Sequence, residues 1–181
     1  MPLFKALKAP SANVSVDIGK DDFIMGESIS GRVLVTSDEE FEAKEVRVEL
    51  LGVERWLTGD KIVEEYNSPE ETLETRIYST EDFVDSGDAQ EAPLQGGEAT
   101  LSGKLKLTTG SSQQFPFQLP VPGDVGPSFR GQRRDGTFLE RVWTLRGVLS
   151  VGGRPDVEGM KEIRISMATA PQRSFAPPPP A

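Results

Sequence analysis

The stretch that most constrains the fold runs from Phe115 to Val151. Phe115, Phe117 and Leu119 alternate with Pro116, Gln118 and Pro120, which in an extended chain puts three large apolar side chains on one face of a strand. Proline has no N–H to give to a sheet ladder, so Pro116 and Pro120 predict that this strand lies at a sheet edge or near its own ends. The run from Val142 to Val151 alternates in the same way, with Trp143, Leu145, Gly147, Leu149 and Val151 on one face. Two such segments can trap a core between them, and the reading is a sandwich of two sheets.

More strands precede this stretch. Val14, Val16 and Ile18 alternate with polar residues, a second strand is expected over Ser28 to Thr36, and Val46, Val48 and Leu50 point one way in a third. Extended chain is expected through Trp56, Leu57, Ile62, Val63 and Tyr66, and a further strand carries Leu73, Thr75 and Ile77. From Thr80 to Ala99 the alternation dissolves into Asp, Glu, Gly and Pro with no Lys or Arg, which predicts a long acidic loop. Leu101, Gly103, Leu105 and Leu107 restore the pattern. Gly152 to Asp156 reads as a hairpin turn, and Ile163, Ile165 and Met167 share a face of the last strand.

The predicted fold is an all-β, immunoglobulin-like antiparallel β-sandwich of seven to nine strands. Its 181 residues suit one domain with tails: an N-terminal amphipathic segment over 1–12, the sandwich over 13–170, and a Pro-rich disordered tail over 171–181.

Two motifs carry a resemblance. The first is Phe115-Pro116-Phe117 followed by Pro127-Ser128-Phe129-Arg130-Gly131 and the long alternating strand; the second is Gly26-Glu27-Ser28-Ile29-Ser30-Gly31-Arg32-Val33. Together the chain resembles the arrestin superfamily at its N-type domain, and among subfamilies it looks like the bacterial and archaeal sporulation-control proteins, which begin with a short apolar and basic segment like Leu3 to Lys8. The resemblance implies a single arrestin-type domain, since a two-domain arrestin needs about twice this length. It also implies a non-catalytic adaptor or scaffold that binds a protein partner in signalling, trafficking or differentiation control, at the cytoplasmic membrane face. In two-domain arrestins, lysines near the N-terminus sense phosphate on a receptor; here only Lys5 and Lys8 match, and Ala6 departs from the paired basic pattern.

Chemistry narrows the classes further. With no histidine and no cysteine there is no Ser-His-Asp triad, no His-ligated zinc and no thiol nucleophile. No phosphate-binding glycine loop or dinucleotide fingerprint occurs, and no cofactor is expected. A net charge of −9, from 29 acids against 20 bases, opposes a nucleic-acid partner. No apolar run reaches the roughly 18 residues that span a bilayer, and Lys5, Lys8 and Pro10 interrupt any leader-like run, so a cytoplasmic location is expected. Asp21, Asp22, Asp38, Glu39 and Glu40 have no calcium-loop spacing and read as solvated turns.

Within an acidic chain, Arg130, Arg133 and Arg134, followed by Arg141 and Arg146, form the best candidate for binding an anionic partner, because guanidinium groups grip carboxylate or phosphate in pairs. The alternative is that these arginines pair with the chain's own acids, such as those of the 80–99 loop. Leu3, Phe4, Lys5 and Lys8 form a candidate N-terminal contact, either a weak membrane-surface foot or a segment folded on the domain. Pro177 to Pro180 favour an extended polyproline conformation. Two other classes stay open: a structural protein that self-assembles into homo-oligomers through edge strands, and a hydrolase built on a carboxylate pair, although no pair stands out.

Overall fold

A computed structural model describes residues 8–57, 90–132 and 138–167. The alternating segments become ten strands: β1 (Ala12–Ile18), β2 (Asp22–Ile24), β3 (Ser28–Ser37), β4 (Phe41–Leu57), β5 (Gln90–Ser102), β6 (Leu105–Leu107), β7 (Ser111–Pro120), β8 (Phe129–Gln132), β9 (Phe138–Val151) and β10 (Val157–Ser166). They form two sheets. One has the order β1-β3-β7; the other runs β2-β10-β9-β4-β5, with β6 also on β4 and β8 also on β9. Even among the described residues alone the count exceeds expectation, because β2, β6 and β8 are three or four residues long. All pairs are antiparallel except β2 with β10, which is parallel over Asp22–Ile24. No helix among the described residues is long and apolar enough to cross a membrane.

The core lies between the sheets and is built from the predicted faces. Ile29, Val33, Val35, Val46, Val48, Leu50, Leu145 and Leu149 are fully buried, with Phe117 and Leu119 closing from β7. Trp143 is the largest buried side chain. Its indole N–H donates to the Gly126 carbonyl at 2.9 Å, and Gly52 directly opposite leaves room for the ring, since a Cβ there would stand 2.8 Å from it.

β7 sits at the edge of its sheet, as its prolines require. The Val121 N–H donates to the Glu27 carbonyl at 2.8 Å, and this sets the parity of the ladder. Leu119, Phe117 and Phe115 fall in the hydrogen-bonded positions against Ile29, Gly31 and Val33, so the nitrogens of Pro116 and Pro120 face away from β3. The Gly26-to-Val33 motif has a local cause as well. Gly26 takes φ +85, a left-handed conformation that glycine adopts without steric cost. The Glu27 carboxylate accepts the Ile24 N–H at 3.0 Å, and Gly31 lets β3 pass close to the Asp17 carbonyl, 2.5 Å from where a Cβ would be.

The structure corrects the expected loop in its second half. Residues 90–99 belong to β5, the outermost described strand on β4. The register shifts twice along this pair, between Val46 and Arg47 and between Leu50 and Leu51. Each bulge resets which side chains face the core, so no single two-residue period runs through the segment. Gly96, at the second shift, lies against Leu50, and Pro93 is tolerated on an outer strand. Residues 80–89 and the strands expected between 58 and 79 lie outside the described residues. Leu101 to Leu107 is split by a turn into the end of β5 and β6, both paired to β4. Met167, expected inside, is 66% exposed because β10 ends at Ser166.

Candidate binding site

Strand β9 has two partners along one edge. β10 pairs with it from Leu149 to Trp143, and β8 takes over from Arg141 to Phe138. Between them the sheet forks at Val142. Beyond Ile163, β10 turns toward β2, where the Arg164 N–H donates to the Asp21 carbonyl at 2.8 Å. Ser128 ties the fork: its N–H donates to the Ile165 carbonyl at 2.7 Å, and its Oγ accepts the Ile165 N–H at 2.9 Å. The fork opens an outward cleft of about 620 Å³ whose lining includes Asp22, Ser128, Arg130, Glu140, Glu162 and Arg164.

Glu140 forms the buried wall of this cleft, only 1% exposed. It accepts a hydrogen bond from Arg130 Nε at 2.9 Å, a second from the same guanidinium, and has Arg55 at 3.7 Å. Arg130 remains 38% exposed at the rim. On the opposite face of β9, Arg141 seals the end of the core next to Trp143. Its guanidinium pairs with Glu54 at 2.6 Å, lies over the Phe129 ring at 5.1 Å, and fills the space left by the missing side chain of Gly126. A smaller cleft of about 280 Å³ adjoins it, between Leu94 and Val125.

Farther along the outer face, charges form a ladder across β4, β9 and β10. Arg47 bridges Glu45 at 2.8 Å and Glu49 at 2.6 Å; Arg146 reaches Glu49 at 2.5 Å and Glu158 at 3.6 Å. Burial pushes the Glu49 carboxyl up, but the hydrogen bonds from Arg47 and Arg146 outweigh it, so its pKa falls below the ordinary carboxylate value. A carboxylate with a lowered folded-state pKa contributes stability that is present above its unfolded pKa and lost as pH falls through the folded value. Glu49→Gln should therefore flatten the dependence of the denaturant midpoint on pH below about 5. An unchanged acid slope would show that the arginines hold Glu49 no better than water does.

Every arginine among the described residues stands at most 3.7 Å from a carboxylate oxygen. Of the predicted anion-binding residues, Arg130 is therefore at the cleft and ion-paired, while Arg133 and Arg134 lie outside the described residues. Among the described residues Arg130, Arg141 and Arg146 pair with the sheet carboxylates Glu140, Glu54 and Glu49, while most of the loop acids considered from the sequence lie outside the described residues. Glu54 and Glu140 escape a sequence reading because their pairing depends on the β4–β9 register; Glu45, Arg47 and Glu49 at alternate positions are the one visible signal. Lys8 is exposed, and Leu3, Phe4 and Lys5 are outside the described residues. Asp21 and Asp22 are separated from Asp38, Glu39 and Glu40 by the full length of β3, and no group of carboxylates suited to a metal occurs among the described residues.

Two sheets closed on a tryptophan, with a glycine–glutamate hairpin at one end and a proline-marked edge strand, define an immunoglobulin-like sandwich of the arrestin type. The family model described as Arrestin (or S-antigen), N-terminal domain, matches residues 12–141, and the chain belongs to that family. A solved structure similar to it is Spo0M, a sporulation control protein from Bacillus subtilis, with a TM-score of 0.58 and 15% identity over 86% of this chain. The chain spans about half of that protein, 49% of its length. A search of curated proteins found no match.

Proposed function

We propose that this chain is a non-catalytic adaptor that binds an anionic segment of a protein partner at the forked end of its larger sheet, working in the cytoplasm at the membrane face. The supporting observation is the position of Arg130: it stands half-open at the rim of the cleft, and the chain runs on from it to Arg133 and Arg134. Because Arg141 and Arg146 are each held by a glutamate, the reading assigns the anionic contact to Arg130, Arg133 and Arg134. Bidentate pairing with a carboxylate or phosphate group is the chemistry they offer. Membership of the arrestin family fits a regulatory binding role. The self-assembly alternative is disfavoured at β7, where the outward nitrogens of Pro116 and Pro120 cannot donate to an added strand.

Affinity capture of the tagged chain from its host, compared with Arg133→Glu/Arg134→Glu, tests the reading. A stoichiometric partner that is lost from the charge-reversed variant, while the thermal melt stays within a degree or two of the parent, is the expected result. Equal recovery by both proteins would remove these arginines from the interface.

A further inference from the structure

The two sheets differ on their outward faces. On the smaller sheet the outward positions carry Ser30, Thr36, Gln114 and Gln118, all exposed, as suits a face in water. On the larger sheet the strip between the fork and the charge ladder is uncharged and largely apolar. Leu51 and Val53 of β4 alternate with the inward Leu50 and Gly52, and Thr144 and Val142 of β9 stand directly opposite them. Met160 of β10, in register with Arg146 on the same face, is 68% exposed. A sheet that is apolar on both sides is suited to a cover on both.

The charges around this strip decide the character of its cover. Five outward carboxylates, Glu45, Glu49, Glu98, Glu158 and Glu162, meet two guanidiniums, Arg47 and Arg146. The neighbouring charges do not restore the balance: Arg55 stands at Glu140 and Arg164 at Asp22, Lys161 turns to Asp21, and Lys44 lies at the far end against Gly152. Glu98 and Glu162 are exposed, and neither forms an ion pair among the described residues. They flank the strip, Glu98 on β5 in register with Glu49 and Glu162 on β10 in register with Thr144. Three strand-to-strand steps separate them, about 14 Å.

We propose that the outward face of the larger sheet docks a basic amphipathic helix of a protein partner, with its apolar side on Leu51, Val53, Val142 and Met160 and its flanking cations at Glu98 and Glu162. This surface is separate from the contact proposed at Arg130, Arg133 and Arg134, so the adaptor would present a sheet face to a basic element and the fork to an anionic one. A helix about 10 Å across fills the span between the two glutamates, and lysines or arginines on its two sides reach out to them. Met160, unbranched and adaptable, moulds to the apolar side chains laid on it. An acidic helix would set like charges together, and an uncharged one would strip water from both carboxylates without pairing them. The chain's own residues 58–89, which connect β4 to β5, carry ten acids against two bases and lack the charge this face calls for.

The test is fluorescence anisotropy of the full chain with two labelled synthetic helices of about 18 residues, long enough to hold helical form. One has a leucine face flanked by lysines; the other has glutamates in place of the lysines. The expected result is that the lysine peptide binds and the glutamate peptide does not. Glu98→Lys/Glu162→Lys should weaken binding about tenfold by reversing both flanking charges, and Met160→Ser should weaken it by a similar factor through lost apolar contact. Asp38→Lys/Asp124→Lys makes the same change in net charge away from this face and should bind like the parent. All five substituted positions are exposed, so the melts should match the parent's. Equal weakening by the Asp38/Asp124 variant would mean that binding follows overall charge and would overturn the proposal. Equal binding of the two peptides, parental affinity of both face variants, or no binding of the lysine peptide would overturn it as well. Arg130, Arg133 and Arg134 are unchanged in every variant, so failure here leaves the capture experiment to be judged on its own.

Discussion

Trp143→Ala is expected to lower the unfolding free energy by about 3 to 5 kcal/mol, the range for removing a large buried aromatic side chain. Trp143 is 1% exposed and lies near the midpoint of β9, a strand with partners on both edges. Three losses combine. The ring's apolar area returns to a cavity, the Gly126 carbonyl loses the indole N–H at 2.9 Å, and Gly52 and Gly126 cannot collapse into the space because neither has a side chain to move. Trp143→Phe keeps most of the volume and isolates the hydrogen bond, so it should cost markedly less. Denaturant melts of the two variants provide the measurement; a Trp143→Ala cost below about 1 kcal/mol would contradict the packing described.

Gly159→Ala is expected to cost about 3 kcal/mol or more, at the upper end of overpacking effects. A Cβ on Gly159 would overlap the backbone carbonyl of Val14, and the next nearest atoms are also backbone. Here β1, from the smaller sheet, crosses directly against β10 of the larger one, so the clash cannot be relieved by a rotamer change and the two sheets must separate at that corner. Gly123→Ala is the matched control: nothing lies within 4 Å of its added methyl, and its stability should shift by no more than about 0.5 kcal/mol. Equal midpoints for the two variants would mean that β1 and β10 are not in contact in solution.

The fold was legible where an uninterrupted period of two met residues with a fixed backbone meaning. Trp143, Leu145, Leu149 and Phe117 landed on the core side, and Pro116 and Pro120 placed β7 at an edge. The reading failed where the ladder itself is irregular. The two bulges along β5 scramble the alternation of residues 90–102, and Glu98, an acid without neighbouring bases, stands exposed on a strand where the sequence suggested loop. The site was less legible still. A cluster of arginines in sequence announces positive charge, but whether that charge is available depends on which glutamates lie across the sheet. Glu54 opposite Arg141 and Glu140 opposite Arg55 follow only from the register of strands more than 80 residues apart.

The long β4–β9 ladder also sets a timetable for the growing chain. Val46 must wait for Leu149 and Leu50 for Leu145, about 100 residues downstream, which at 5 to 20 residues per second is roughly 5 to 20 s of synthesis. During that interval β4 gains β5 on one edge while the other edge, which β9 will occupy, stays unpaired, and the nascent domain leaves the ribosome as an incomplete sheet. Codon-level pausing or chaperone capture in the window before residue 151 emerges would decide how much of the protein reaches its folded form.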